Sequence, residues 1–238
     1  MSRAFKPAGS RKVAFYCLAG VATAPLFMEV FRRYWMEHYA QLGFETRSEL
    51  LFPYGDWSRH WIRQLPEAYT DLRTSGSAAP AGRARLMAEA IAEASPPEEA
   101  LILCGHSAGG AMAVLTASLL KPDRAAPIRV IQIGSPRCAV PDNLKEDVLY
   151  LYGVNAAGRS IDPVTRLGSW GGWERGRLPR WNARRTAPAT ICAVSLIGGH
   201  ADYFRTEVPF ILPDGRSNLE HTAAPIRSWL RSDEIRNP

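Results

Sequence analysis

The chain has little of what builds a metal, disulfide or nucleotide site. Four cysteines stand among its 238 residues, at positions 17, 104, 138 and 192, and no two form a C-x-x-C pair. Cys17, Cys104 and Cys192 fall in apolar runs, which reads as reduced thiols serving as small hydrophobes rather than as a disulfide framework. There is no H-E-x-x-H, no cysteine cluster and no pair of carboxylates at ligand spacing, so no metal is expected. Gly20-Val-Ala-Thr lacks a phosphate-cradling pattern, so no nucleotide cofactor is expected either. No apolar run reaches the roughly 18 residues of a membrane span. A disordered chain is excluded by composition, with 46% hydrophobic and 22% charged residues.

Two features of charge need weighing. Lys6, Arg11 and Lys12 precede the apolar run 13–22, and Ala22-Thr23-Ala24 resembles a signal-peptidase site. Cleavage there would remove a strand that carries part of the site described below, so a cytoplasmic location is expected, with secretion as the alternative. The formal charge is +6, with Arg175, Arg177, Arg180, Arg184 and Arg185 clustered. Pro179 and nearby glycines break any helix that could align these arginines, so the cluster reads as a solvated loop. No nucleic-acid partner is expected, and contact with a membrane surface is left open.

What is present is an alternation of strands and helices. Residues 12–18 read as a buried strand, and 25–42 as a helix with Pro25 in its first turn and Gly43 ending it. Residues 44–52 offer a second strand. Residues 53–80, with Tyr54, Trp57, Trp61 and Tyr69 followed by a Ser/Gly/Ala stretch, suggest irregular or loosely helical structure. A helix over 83–94 leads to the continuous apolar run 100–104, typical of a parallel strand covered on both faces. A helix to about Leu120 follows, then strands over 128–133, 148–153 and 190–196. A Gly/Trp/Arg-rich insertion at 168–186 separates the last two strands. Thr222 is placed to cap a terminal helix that buries Ile226, Trp229 and Leu230. The pattern predicts an α/β fold of three layers, a mostly parallel sheet with helices on both faces. No linker cuts the chain into two domains.

Gly105-His106-Ser107-Ala108-Gly109 fits G-x-S-x-G, between a predicted strand and a predicted helix. That context is what the nucleophile elbow requires, since a sharp turn there lifts the serine hydroxyl above the sheet edge. A serine is a poor nucleophile until a base, oriented by a third group, takes its proton. In the order Ser, acid, His, Asp162 follows the strand at 148–153 and His200 follows that at 190–196. All three then lie beyond carboxyl ends of parallel strands, where open α/β sheets carry their sites. His221 is the rival base, placed beside the expected helix cap. His106 is held inside the elbow, and His38 and His60 precede the nucleophile. Asp142 and Asp147 are rival acids that precede their strand, and Asp202 reads as a surface charge. Leu18-Ala19-Gly20-Val21 ends the first strand as an oxyanion loop would, so the backbone N–H groups of Val21 and Ala108 are the candidate oxyanion donors.

At these residues the chain resembles the α/β-hydrolases, and the class 3 (fungal-type) lipases in particular. The similar pieces are the run Gly105-His-Ser-Ala-Gly-Gly110, Ile133-Gly-Ser-Pro-Arg137, Asp162-Pro-Val164 and His200-Ala-Asp-Tyr-Phe204. The resemblance implies the nucleophile in the first, the acid in the third and the base in the fourth. Where such lipases carry a polar oxyanion residue in R-G-[ST], this chain has Ala19-Gly20-Val21. No amphipathic lid is recognisable, so long-chain lipid preference is not implied. The expected activity is hydrolysis of a small-molecule carboxylic ester or other acyl substrate through an acyl-enzyme. A thioesterase or acyltransferase is the alternative, and a non-catalytic binding protein a third reading. The tryptophans and glycines of 170–181 suit either a lid over the cleft or a packed surface loop.

Overall fold

Strands with apolar residues at every position need cover on both faces, and helices packed on both sides of the sheet supply it. The structure is a computed structural model and describes residues 12–55, 58, 61–74, 82–174 and 178–236. In chain order its main elements are β1 (Lys12–Leu18), α1 (Glu29–Gln41), β2 (Glu45–Leu51), α2 (Trp61–Thr74), α3 (Gly82–Ala94), β3 (Ala100–His106) and α4 (Ala108–Leu120). There follow β4 (Ile128–Ile133), β5 (Val148–Val154), the short strands β6 (Gly172–Glu174) and β7 (Arg180–Asn182), β8 (Thr190–Ser195) and α5 (Asn218–Arg236).

Six strands form one sheet in the order β2-β1-β3-β4-β5-β8, and every neighbouring pair is parallel. Winding runs outward from β1 to β2, then returns across β1 to β3, so the topological switch lies between β1 and β3. Alternation of side chains sorts the core into two layers. Phe15, Cys17, Ile102, Cys104, Ile131 and Leu149 face α1 and α5, where Phe31, Trp35, Ile226 and Trp229 meet them. Tyr16, Leu18, Leu101, Leu103 and Val130 face the opposite way, against Ala84 and Ile91 of α3 and most of α4. This is the α/β-hydrolase fold, with helices on both faces as the sequence predicts.

Three local expectations need correction. The first helix begins a turn later than Pro25, because 25–28 form turns and Leu26 points to solvent. Its buried stripe is Phe31, Trp35 and Tyr39, spaced four apart. Residues 61–74 are a true helix despite Pro66, since Gln64 and Asp71 share one inward face and Asp71 pairs with Arg83 at 3.0 Å. Thr222 does not cap the last helix but lies buried within it. The cap is a Ser217–Glu220 box, in which Glu220 Oε2 accepts from the Ser217 N–H at 2.8 Å and Ser217 Oγ from the Glu220 N–H at 3.3 Å. The sequence carried that S-x-x-E signature.

The insertion is a small β6–β7 hairpin with Trp173 and Trp181 paired at 5.5 Å. Trp170 at its base is buried edge-on against Tyr150 of β5. Arg185 after it pairs with Asp142, and Lys145 donates to the Arg185 carbonyl. Asp142 and Lys145 lie in the 3-10 turn Asp142–Asp147 that enters β5. The hairpin is therefore tethered toward the amino end of β5, away from the loops at the strands' carboxyl ends. No helix among the described residues is long and apolar enough to cross a membrane.

Candidate active site

The elbow sits where the sequence places it, at the carboxyl end of β3. Ser107 has φ 56° and ψ −134°, a conformation an L-residue holds only when its surroundings impose it. Those surroundings are the Ser107 N–H bond to the Ile133 carbonyl at 3.0 Å and the immediate start of α4 behind it. Gly20, after β1, approaches so closely that a Cβ there would stand 2.6 Å from Ser107 Cβ and 3.1 Å from Ser107 Oγ. Only glycine fits beside the nucleophile.

The loop after β1 is anchored on either side of Val21. Thr23 Oγ1 donates to the Gly20 carbonyl at 3.0 Å, and the Ala22 N–H donates to Gln64 Oε1 at 2.7 Å. Ala22 itself is held at φ 52°. The N–H groups of Val21 and Ala108 have no hydrogen-bond partner among the described residues. Gln64, fully buried on α2, is a positioning residue that sequence reasoning missed because 53–80 reads as irregular.

Asp162 and His200 meet beyond β5 and β8. His200 Nδ1 donates to the Asp162 carboxylate, at 2.9 Å from Oδ2 and 3.0 Å from Oδ1. With its proton on Nδ1, the ring leaves Nε2 as a lone pair able to accept one. Asp162 is fully buried and also accepts from the Tyr203 hydroxyl at 2.8 Å and the Val164 N–H at 2.9 Å. Burial alone would raise its pKa, but the bonds from His200, Tyr203 and Val164 outweigh it and hold the carboxyl below its ordinary range. The tyrosine is the fourth residue of the H-x-x-Y-F motif. Its hydroxyl accepts from the Gly153 N–H at 2.8 Å, which fixes the ring beside the acid. Gly134 of Gly-Ser-Pro-Arg stands at φ 57°, and a Cβ there would come within 2.7 Å of Asp162 Oδ2. That motif thus makes room for the acid.

His106 binds the two halves of the site together. Its Nε2 donates to the His200 carbonyl at 2.9 Å, and the two rings lie 4.6 Å apart. Burial, and then the neighbouring His200, lower its pKa to about 3, so it is a neutral spacer. The base loop is clamped from below by α5. Asn218 donates to the Ile197 and Asp202 carbonyls, both at 2.8 Å, and Thr222 Oγ1 donates to the Tyr203 carbonyl at 3.0 Å.

The rival residues stand elsewhere. His221 lies on α5 with Nε2 3.1 Å from Asp214 Oδ1, and His38 packs among Trp35 and Tyr39. His60, Trp57, Arg175, Arg177, Lys6 and Arg11 lie outside the described residues. Asp142 pairs with Lys145 and Arg185, and Asp147 with Lys121 and Arg129, where the chain enters β5. Asp202 is more than a surface charge: its Oδ2 accepts the Gly199 N–H at 2.9 Å and shapes the turn carrying His200.

The sequence model of the lipases of class 3 matches residues 79–167, from α3 through the acid. No curated protein matches the chain. Among solved structures it is similar to YbtT, a type II thioesterase from the yersiniabactin NRPS/PKS biosynthetic pathway. That pair shares 13% identity over 84% of this chain and 91% of that one, with a TM-score of 0.42. A cutinase-like protein from Cryptococcus sp. shares 13% identity over 96% and 93%, at a TM-score of 0.39. A cutinase of Trichoderma reesei, in complex with a phosphonate inhibitor, shares 11% over 63% and 62%, at 0.33. The chain has the α/β-hydrolase fold, and over residues 79–167 it is similar to the class 3 lipases.

Proposed function

We propose that the protein hydrolyses small-molecule carboxylic esters through an acyl-enzyme formed on Ser107, with His200 as base and Asp162 as the group that orients it. The observation that carries this reading is the Asp162–His200 pair, with the proton held on Nδ1, joined through the His106 bond to the His200 carbonyl to the elbow that carries Ser107. Ser107 Oγ attacks the ester carbonyl carbon while His200 Nε2 takes the hydroxyl proton. The N–H groups of Val21 and Ala108 receive the negative oxygen of the tetrahedral intermediate. Collapse breaks the carbon–oxygen bond to the alcohol, which leaves with the proton from Nε2. Water, deprotonated by the same nitrogen, then attacks the acyl carbon and regenerates the serine.

Because fold and triad do not select the acyl donor, a panel of p-nitrophenyl esters and acyl thioesters of increasing length defines the substrate. Ser107→Ala should lower kcat on the best ester by on the order of 10⁴- to 10⁶-fold and abolish labelling by a fluorophosphonate, with the circular dichroism spectrum unchanged. A pure, folded Ser107→Ala sample that kept its esterase activity would overturn the assignment.

A further inference from the structure

A second cavity, of about 200 Å³, lies over the outer part of β5 and is lined by neither Ser107, Asp162 nor His200. Three arginines border it, each from a different segment: Arg137 after β4, Arg166 in the 3-10 turn Pro163–Arg166, and Arg184 after β7. No carboxylate lines it, and none of the three guanidinium groups has an acidic partner among the described residues. Arg137 stacks over the Trp170 ring at 5.2 Å, and Arg166 Nη2 donates to the Ser160 carbonyl at 3.1 Å. Two further donors on lining residues, Trp170 Nε1 and Ser160 Oγ, are buried with no hydrogen-bond partner. Trp170 is itself only 8% exposed.

Three uncompensated cations around one concavity repel each other and attract an anion. Guanidinium groups take phosphate oxygens in pairs, so three arginines from three segments on one rim favour a tetrahedral dianion over a planar monoanion. Tyr150, Trp170 and Ile191 give the cavity an apolar wall for an organic group attached to that anion.

We propose that this cavity binds a phosphate group, free or as the head of a small phosphomonoester. It stands independently of the ester-hydrolase reading.

The test is titration calorimetry at fixed ionic strength with inorganic phosphate, phenyl phosphate and benzoate. Phosphate and phenyl phosphate should bind saturably at one site, and benzoate at least about tenfold more weakly. Tighter binding of phenyl phosphate than of phosphate assigns the site to a phosphate ester, and equal binding to the free ion. The double variant Arg137→Gln/Arg184→Gln should lose on the order of tenfold or more in affinity while hydrolysing a neutral p-nitrophenyl ester as the parent does. No saturable binding of phosphate or phenyl phosphate below about 10 mM would overturn the proposal. So would benzoate binding as tightly as phenyl phosphate, or a double variant within twofold of the parent. Should that variant fold poorly, Arg184→Gln alone, at an exposed position, carries the same comparison.

Discussion

One buried imidazole contributes stability that acid removes. His106 is 3% exposed, and its folded pKa of about 3 lies below the ordinary 6.5. The unfolded chain therefore takes up a proton at His106 before the folded chain does. Stability from this residue is complete above about pH 6.5 and is lost as pH falls toward 3. Each pH unit in that window removes about 1.4 kcal/mol. Urea unfolding at pH 7 and pH 4 should show the parent losing about 3 kcal/mol more than His106→Gln, whose amide keeps a donor for the His200 carbonyl. Equal losses in the two proteins would mean that His106 is protonated while folded. Ser107, Asp162 and His200 are candidates legible in the sequence because each follows an apolar run at its carboxyl end. The roles of His106, Tyr203 and Gly134 are not, since they act through atoms distant in the chain.

At the scale of elements, the first turn of α5 matters most for the base. Asn218 bonds with Ile197 at both N–H and carbonyl, and with the Asp202 carbonyl, so one side chain satisfies three backbone groups of the loop holding His200. Asn218→Ala leaves those buried groups unpaired, at about 1–3 kcal/mol each. A melting point lower by several degrees should accompany a fall of about tenfold or more in kcat, with KM changed little. A variant that melts early yet retains full kcat would show that the loop holds itself. Thr222 looks like a cap in the sequence, whereas the Ser217–Glu220 box, whose serine stands five residues earlier, does the capping. α2 was obscured for a different reason. Its interior proline and mixed composition hide an inward face built from polar Gln64 and Asp71, which periodicity of apolar residues cannot register.

The architecture of the whole molecule was legible because fully buried parallel strands read as uninterrupted apolar runs, as 100–104 does. The path of the 163–189 crossover was not, since nothing local says that Trp170 inserts against Tyr150 and draws the hairpin toward the entrance of β5. Of the two readings the sequence leaves open for 170–181, that placement favours the packed surface loop. Trp173→Ala should leave the preference among p-nitrophenyl esters of different length unchanged within about twofold, because the ring is 65% exposed and its hairpin is tied to Arg185 and Lys145. A several-fold change in that profile would put the hairpin over the cleft after all.

The sheet order also has a consequence for the protein while it is being made. The nucleophile rides on the third strand, but the base arrives only on β8, the last strand to join. At roughly 5–20 residues per second, a ribosome needs on the order of 5–20 s to travel from Ser107 to His200. Throughout that interval the nascent chain carries a serine with no base to deprotonate it. Under the proposed mechanism, a chain stalled or clipped before β8 holds Ser107 without His200 and hydrolyses no ester.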